Sequence, residues 1–191
     1  MSSLHRHTDP RSGLVVDTHD LGRGAGAMKE LNTSVEAPEG LGIDVIGVPK
    51  DSPIALDLRI ESVGEGVLVT GTADVEIRGE CGRCLTPIED VLTIDVMELY
   101  LFPESETDDA DASRLEGTLL DLEPLVRDQV VLELPFMPVC REDCAGLCPT
   151  CGANLNNDPD HTHGEVFDAR WEKLAGLKDL TSDESGMPRE D

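Results

Sequence analysis

The 191-residue sequence sets 40 acidic against 15 basic side chains, a formal net charge of −25, and is 39% hydrophobic but only 3% aromatic. That is enough aliphatic material for one core with tails or two small domains, and no stretch approaches the roughly 20 apolar residues of a membrane span. Such a surface repels a phosphate backbone and attracts basic proteins, which speaks against autonomous, non-specific nucleic-acid binding.

The opening "MSSLHRHTDPRSG" is polar and has no apolar h-region, so it does not read as a secretory signal; a cytoplasmic protein is expected. Residues 1–10 read as a disordered tail. A β-rich core is expected over 11–135, beginning with a strand at Leu14 to Val16. The glycines at Gly22, Gly24 and Gly26 follow neither GxGxxG nor GxxxxGK[ST], so they predict a turn into a short helix around Met28 to Leu31, not a nucleotide site.

"IALDLRIESV" alternates Ile54, Leu56, Leu58 and Ile60 with polar or small residues, the period-two pattern of a half-buried strand. "GEG" at 64–66 is a turn, and Val67, Val69, Ala73, Val75 and Ile77 carry the alternation on, with Gly71 where a bulge or a close backbone approach fits. "VLTIDVMELYLF" then returns toward Phe102. Cys81 and Cys84 are therefore expected at the tip of a long antiparallel hairpin. The acidic loop 103–114 has no apolar spine and reads as solvated.

"DLEPLVRDQVVLELP" predicts a helix over about 121–134, capped by Asp121 or Glu123 and stopped by Pro135, with Leu122, Leu125, Val126, Val130 and Leu134 on the sheet. Residues 136–157 form a Cys-rich loop. The segment 158–191 is expected to hold a short helix in "DARWEKLAGLKDL" and a disordered end. The fold class is α+β: an antiparallel sheet or partial β-barrel with one packed helix, a zinc-knuckle loop and flexible termini.

Six cysteines in a reducing compartment point to metal or catalysis before disulfides. "CPTCG" has the C-x-x-C-G form that turns two sulfurs toward one centre, and zinc completes its tetrahedron with a second pair. The expected structural site is Cys140, Cys144, Cys148 and Cys151. Cys81 and Cys84 are the alternative pair, which would join Cys148 and Cys151 in a zinc ribbon. The local tetrad closes the shorter loop, although C-x3-C-x3-C-x2-C leaves little chain to wrap a tetrahedron. Mixed sites using His161 or His163 remain open. "CGRC" between two strands lacks the helix N-terminus of a dithiol oxidoreductase. No G-x-S-x-G, H-E-x-x-H or P-loop pattern occurs, and no enzymatic activity or catalytic residue is expected.

Three stretches, "VGEGVLVTGTADVEIRGECGRCL", "LDLEPLVRDQVVLELPFMPVCREDCAGLCPTCGANL" and "DARWEKLAGL", together resemble the YceD family, the bacterial and plastid family named for large ribosomal RNA subunit accumulation. The resemblance spans roughly residues 11 to 178 and looks actinobacterial. Some members of the family carry only one of the two cysteine groups, which favours the local tetrad. The resemblance implies a non-enzymatic factor in large-subunit ribosomal RNA accumulation and large-subunit assembly. With the charge, it makes a basic ribosomal protein or a pre-ribosomal large-subunit particle the expected partner, and direct RNA contact the less favoured one. The rival expectation is a zinc-stabilised thiol-redox or regulatory protein using the CGRC pair.

Overall fold

Period-two alternation builds the centre of the sheet. In β5 (Pro53–Val63) Ile54, Leu56, Leu58 and Ile60 are buried, while Ala55, Asp57 and Arg59 face solvent. The computed structural model describes residues 9–22, 24–106 and 112–163. Strand β6 (Gly66–Glu80) pairs antiparallel with β5 from Gly66 to Val75, and along its whole length with β7 (Pro87–Leu101). Beyond the end of β5, β6 takes up β4 (Ile46–Val48), which forms a small hairpin with β3 (Leu41–Ile43).

Strand β2 (Met28–Glu36) pairs with β5 at the other edge, where a helix around Met28 to Leu31 was expected. The half-buried residues of β2 are Leu31 and Val35, packed on the core beside Ala27. A spacing of four is close to one helical turn and is also a multiple of two, so that pattern fits either structure. The full ladder from Met28↔Glu61 to Glu36↔Pro53 decides for the strand.

The Gly71 expectation holds as a close approach. Its φ is +145°, and a Cβ there would lie 2.1 Å from the Asp57 carbonyl oxygen. No L side chain fits that position, so β5 and β6 can pair tightly only with glycine.

Helix α1 (Glu123–Glu133) carries Pro124 in its first turn, and Asp121 Oδ1 accepts the N–H of Glu123 at 2.9 Å. Leu122, Leu125, Val126, Val130 and Leu134 are all buried, and the helix packs against β7 and β3. Arg127 donates to the carbonyls of Gly40 and Glu39 and pairs with Glu123 at 2.8 Å. A two-stranded ladder of β1 (Val15–Asp17) and β8 (Leu119–Asp121) precedes the helix. The Tyr100 hydroxyl donates to the Asp121 carbonyl (2.9 Å), tying β7 to β8.

The fold is thus α+β, an antiparallel sheet with one helix, and it forms no closed barrel among the described residues. The chain divides into two units, Met1–Cys144 and Ala145–Asp191, so the boundary falls inside the Cys-rich loop expected at 136–157. No helix among the described residues is long and apolar enough to cross a membrane. The helix expected in "DARWEKLAGLKDL", most of the N-terminal tail and residues 107–111 of the acidic loop lie outside the described residues.

Gly71→Ala should cost about 2–3 kcal/mol in urea unfolding, from the carbonyl clash and the positive φ. Gly64→Ala, where a Cβ meets nothing within 4 Å, should stay within about 0.5 kcal/mol of the parent.

Candidate metal centres

The β6–β7 hairpin ends in a knuckle at its expected place. The N–H of Cys81 donates to the Thr86 carbonyl (2.9 Å), and the N–H of Leu85 donates back to the Cys81 carbonyl (2.9 Å). This turn puts Leu85 at φ +57°, a left-handed conformation that L residues other than Asn and Asp seldom adopt. Two contacts bind the tip to the chain that follows α1. The Gly82 N–H donates to the Pro138 carbonyl (2.8 Å), and Arg83 Nη1 reaches the carbonyl of Cys144 (3.1 Å).

These contacts bring Cys81 and Cys84 to Cys140 and Cys144. The Sγ atoms of Cys81 and Cys144 are 3.8 Å apart, those of Cys84 and Cys140 3.6 Å, and all four lie within 4.8 Å of one another. A tetrahedron with metal–sulfur bonds of about 2.3 Å has edges of about 3.8 Å. The four sulfurs can therefore hold one metal ion with little adjustment. Cys81, Cys84 and Cys144 are buried, and Cys140 is exposed.

A second group forms within the other unit. Cys148 and Cys151 meet His161 and His163, and one donor atom from each lies within 4.8 Å of the rest. The tetrad expected from Cys140, Cys144, Cys148 and Cys151 is thus divided: its first pair completes a group with Cys81 and Cys84, its second a group with the two histidines. The ribbon alternative divides in the same way. The physical reason is the crowding of C-x3-C-x3-C-x2-C, which two separate groups relieve. Sequence reading kept the histidines only among the mixed possibilities, and it missed Asp158, whose Oδ2 lies 3.5 Å from His161 Nδ1.

The thiols of the first group differ in acidity. Burial opposes ionisation of Cys81, but backbone N–H groups of Cys140, Arg83 and Cys84 outweigh it and bring the thiol down to about 6. Hydrogen bonds from the Thr86 side chain and backbone lower Cys84. Cys140 is pushed up to about 12, chiefly by its contact with the Cys84 sulfur, then by partial desolvation and by the Cys144 and Cys81 sulfurs. One sulfur is thus readily a thiolate, while another resists ionisation beside its neighbours. A cation would relieve that mutual repulsion. In the second group, backbone N–H groups of Cys151 and Thr150 lower Cys148 to about 6.

The family model for "Large ribosomal RNA subunit accumulation protein YceD" matches residues 69–178, from within β6 through both donor groups. The chain belongs to the YceD family. An uncharacterized protein of Mycobacterium tuberculosis is 44% identical over 190 residues, covering 96% of this chain and 91% of its own length. One of Mycobacterium leprae is 39% identical over 171 residues, 87% of this chain and 78% of the relative. The chloroplastic large ribosomal RNA subunit accumulation protein YCED homolog 1 of Zea mays is 49% identical over 37 residues, 19% of this chain and 13% of the maize protein. The mycobacterial relatives fit the actinobacterial character expected of this YceD sequence. No solved structure matches.

Leu85→Gly should stabilise this YceD chain by about 0.5–1 kcal/mol. That is the left-handed strain of about 1–2 kcal/mol relieved, less about 0.5–1 kcal/mol for the added freedom of unfolded glycine. Leu85 is 58% exposed, so little buried area is lost, and urea unfolding of the metal-loaded protein measures the change.

Proposed function

We propose that this YceD-family chain is a non-enzymatic cytoplasmic factor that supports accumulation of large-subunit ribosomal RNA. It acts by holding a basic ribosomal protein, alone or within a pre-ribosomal large-subunit particle. The family match supports the role. The partner reading is carried by the solvent face of the sheet, where Asp57, Asp74 and Asp95 stand on neighbouring strands β5, β6 and β7.

The arginines of that face leave its sign unchanged. Arg59 pairs with Glu61 at 2.8 Å, and Arg78 lies 3.7 Å from both Glu76 and Glu89. Val91 and Met97, 62% and 71% exposed, stand among the carboxylates. A lysine- and arginine-rich partner can place its ammonium and guanidinium groups on the acids and its aliphatic stems on these side chains. An RNA backbone meets net repulsion there.

The first metal group serves this role as a structural zinc site of Cys81, Cys84, Cys140 and Cys144. Four thiolates fill the zinc coordination shell and leave no position for a reacting water, in keeping with a binding protein and not a hydrolase. The site also engages the CGRC pair that the thiol-redox reading would need free.

Sedimentation of the tagged protein from gently lysed cells tests the reading. Comigration with a large-subunit precursor at low salt, lost at high salt and in an Asp57→Lys/Asp74→Lys/Asp95→Lys variant of unchanged stability, is the expected result. Depletion should lower large-subunit relative to small-subunit ribosomal RNA. Tight binding of the purified protein to naked ribosomal RNA, with no affinity for ribosomal proteins, would overturn the partner assignment.

A further inference from the structure

We propose that Cys148, Cys151, His161 and His163 form a second metal site, independent of the four-cysteine centre, which binds a zinc-type divalent ion and folds residues 145–163. The histidine donors set it apart: two sulfurs and two nitrogens in tetrahedral array suit zinc, while hard cations prefer oxygen.

Three observations carry the site. The first is convergence. Cys151 Sγ lies 3.2 Å from His161 Nε2 and 3.2 Å from His163 Nε2, and the two ring nitrogens are 3.0 Å apart. A tetrahedral zinc with bonds of about 2.0 Å to nitrogen separates two such nitrogens by about 3.3 Å, so only a small expansion admits the ion.

The second is the partner of the outer ring nitrogen. The Asp158 carboxylate faces His161 Nδ1 at 3.5 Å and favours a proton there. The Nε2 lone pair is then free to point at the centre, the arrangement by which a carboxylate orients a metal-binding imidazole.

The third is the turn itself. The N–H of Cys148 donates to the Ala153 carbonyl (2.8 Å), and the N–H of Gly152 donates to the Cys148 carbonyl (2.8 Å). Gly152 has φ +75°. Residue for residue this repeats the Cys81 turn, with Ala153 in the place of Thr86 and Gly152 in the place of Leu85. Two stretches of unlike sequence thus fold into the same two-cysteine knuckle, and each knuckle has a second pair of donors facing it.

Apart from local hydrogen bonds such as that of the Leu155 N–H to the Gly146 carbonyl (2.9 Å), residues 145–163 have little to hold this shape. They contain no helix and no strand beyond the single bridge Leu147↔Asn154, and both their leucines, Leu147 and Leu155, are only half-buried. A segment this short has no core to stabilise it, and a bound metal is one of the few devices that can. Cys151 and His163 are exposed, against Cys140 alone at the other centre, so the ion at this site exchanges with solvent more readily than one held there.

The test uses the full chain, purified without chelator and loaded with zinc, then with cobalt(II). Native mass spectrometry should show two zinc ions per chain. His161→Ala/His163→Ala should lose one of them, and so should Cys148→Ser/Cys151→Ser. Cobalt spectra separate the centres, because ligand-field bands of a two-sulfur, two-nitrogen site lie at higher energy than those of a four-sulfur site. The histidine variant should keep only the four-sulfur spectrum. Asp158→Asn should weaken zinc binding at this site by about 10–100-fold while sparing the other. Amide exchange of residues 145–157 should slow on zinc loading in the parent and not in the histidine variant. A single zinc in the parent, or two zinc ions and an unchanged cobalt spectrum in the histidine variant, would overturn the proposal.

Discussion

The β6–β7 register is the constraint on which the rest of this molecule depends. From Gly66↔Leu101 to Glu80↔Pro87 the two strands pair without interruption, and the pairing fixes two things at once. It turns Val67, Val69, Ala73 and Val75 into the core with Ile94 and Val96, and it delivers Cys81 and Cys84 to the loop beyond α1. A slip of one residue would expose the core face and turn the knuckle away together. Hydrophobic burial in the sheet therefore holds the sulfur atoms in place, although the two features share no residues.

The knuckle depends on backbone groups as much as on cysteine. N–H groups of Arg83, Cys84 and Cys140 are directed at Cys81, and those of Thr150 and Cys151 at Cys148. In a chain of net charge −25, additional thiolates are tolerable only where such dipoles, or a cation, offset them. Arg83 serves this purpose by a different route: its guanidinium reaches the Cys144 carbonyl and brings positive charge to the rim of the four-sulfur group.

The sheet and helix were legible in the sequence because their signals are local. Ile54 through Ile60 alternate, Leu122 through Leu134 recur at helical spacing, and Asp121 and Pro124 mark the helix start. Strand β2 was not legible: its half-buried residues, Leu31 and Val35, stand four apart, and its conformation is imposed by β5 across the ladder. The donor groups were half legible. Spacing identified the knuckles and the hairpin tip, but the pairing of donors is a long-range property that loop-closure arguments treat too coarsely. Sequence proximity made Cys144 and Cys148 look like partners. The crowding of their spacing pointed the other way, and the two histidines stood only among the mixed possibilities. Leu85 concealed the likeness of the two knuckles, because it stands where the other has glycine.

The four-sulfur centre joins positions that are far apart along the chain, with Cys84 and Cys140 separated by 56 residues. Between them lie β7, β8 and the whole of α1. A metal held there would clasp the two ends of that stretch in the folded chain, and because the donors disperse on unfolding, its binding free energy would add directly to folding stability. A disulfide there would be cut by reducing thiols, whereas a metal closure would open when the ion leaves. With a metal in that centre, the fastening of the helix to the sheet would respond to the supply of the ion and to oxidation of its thiolates, and a pool of reducing thiols would not cut it.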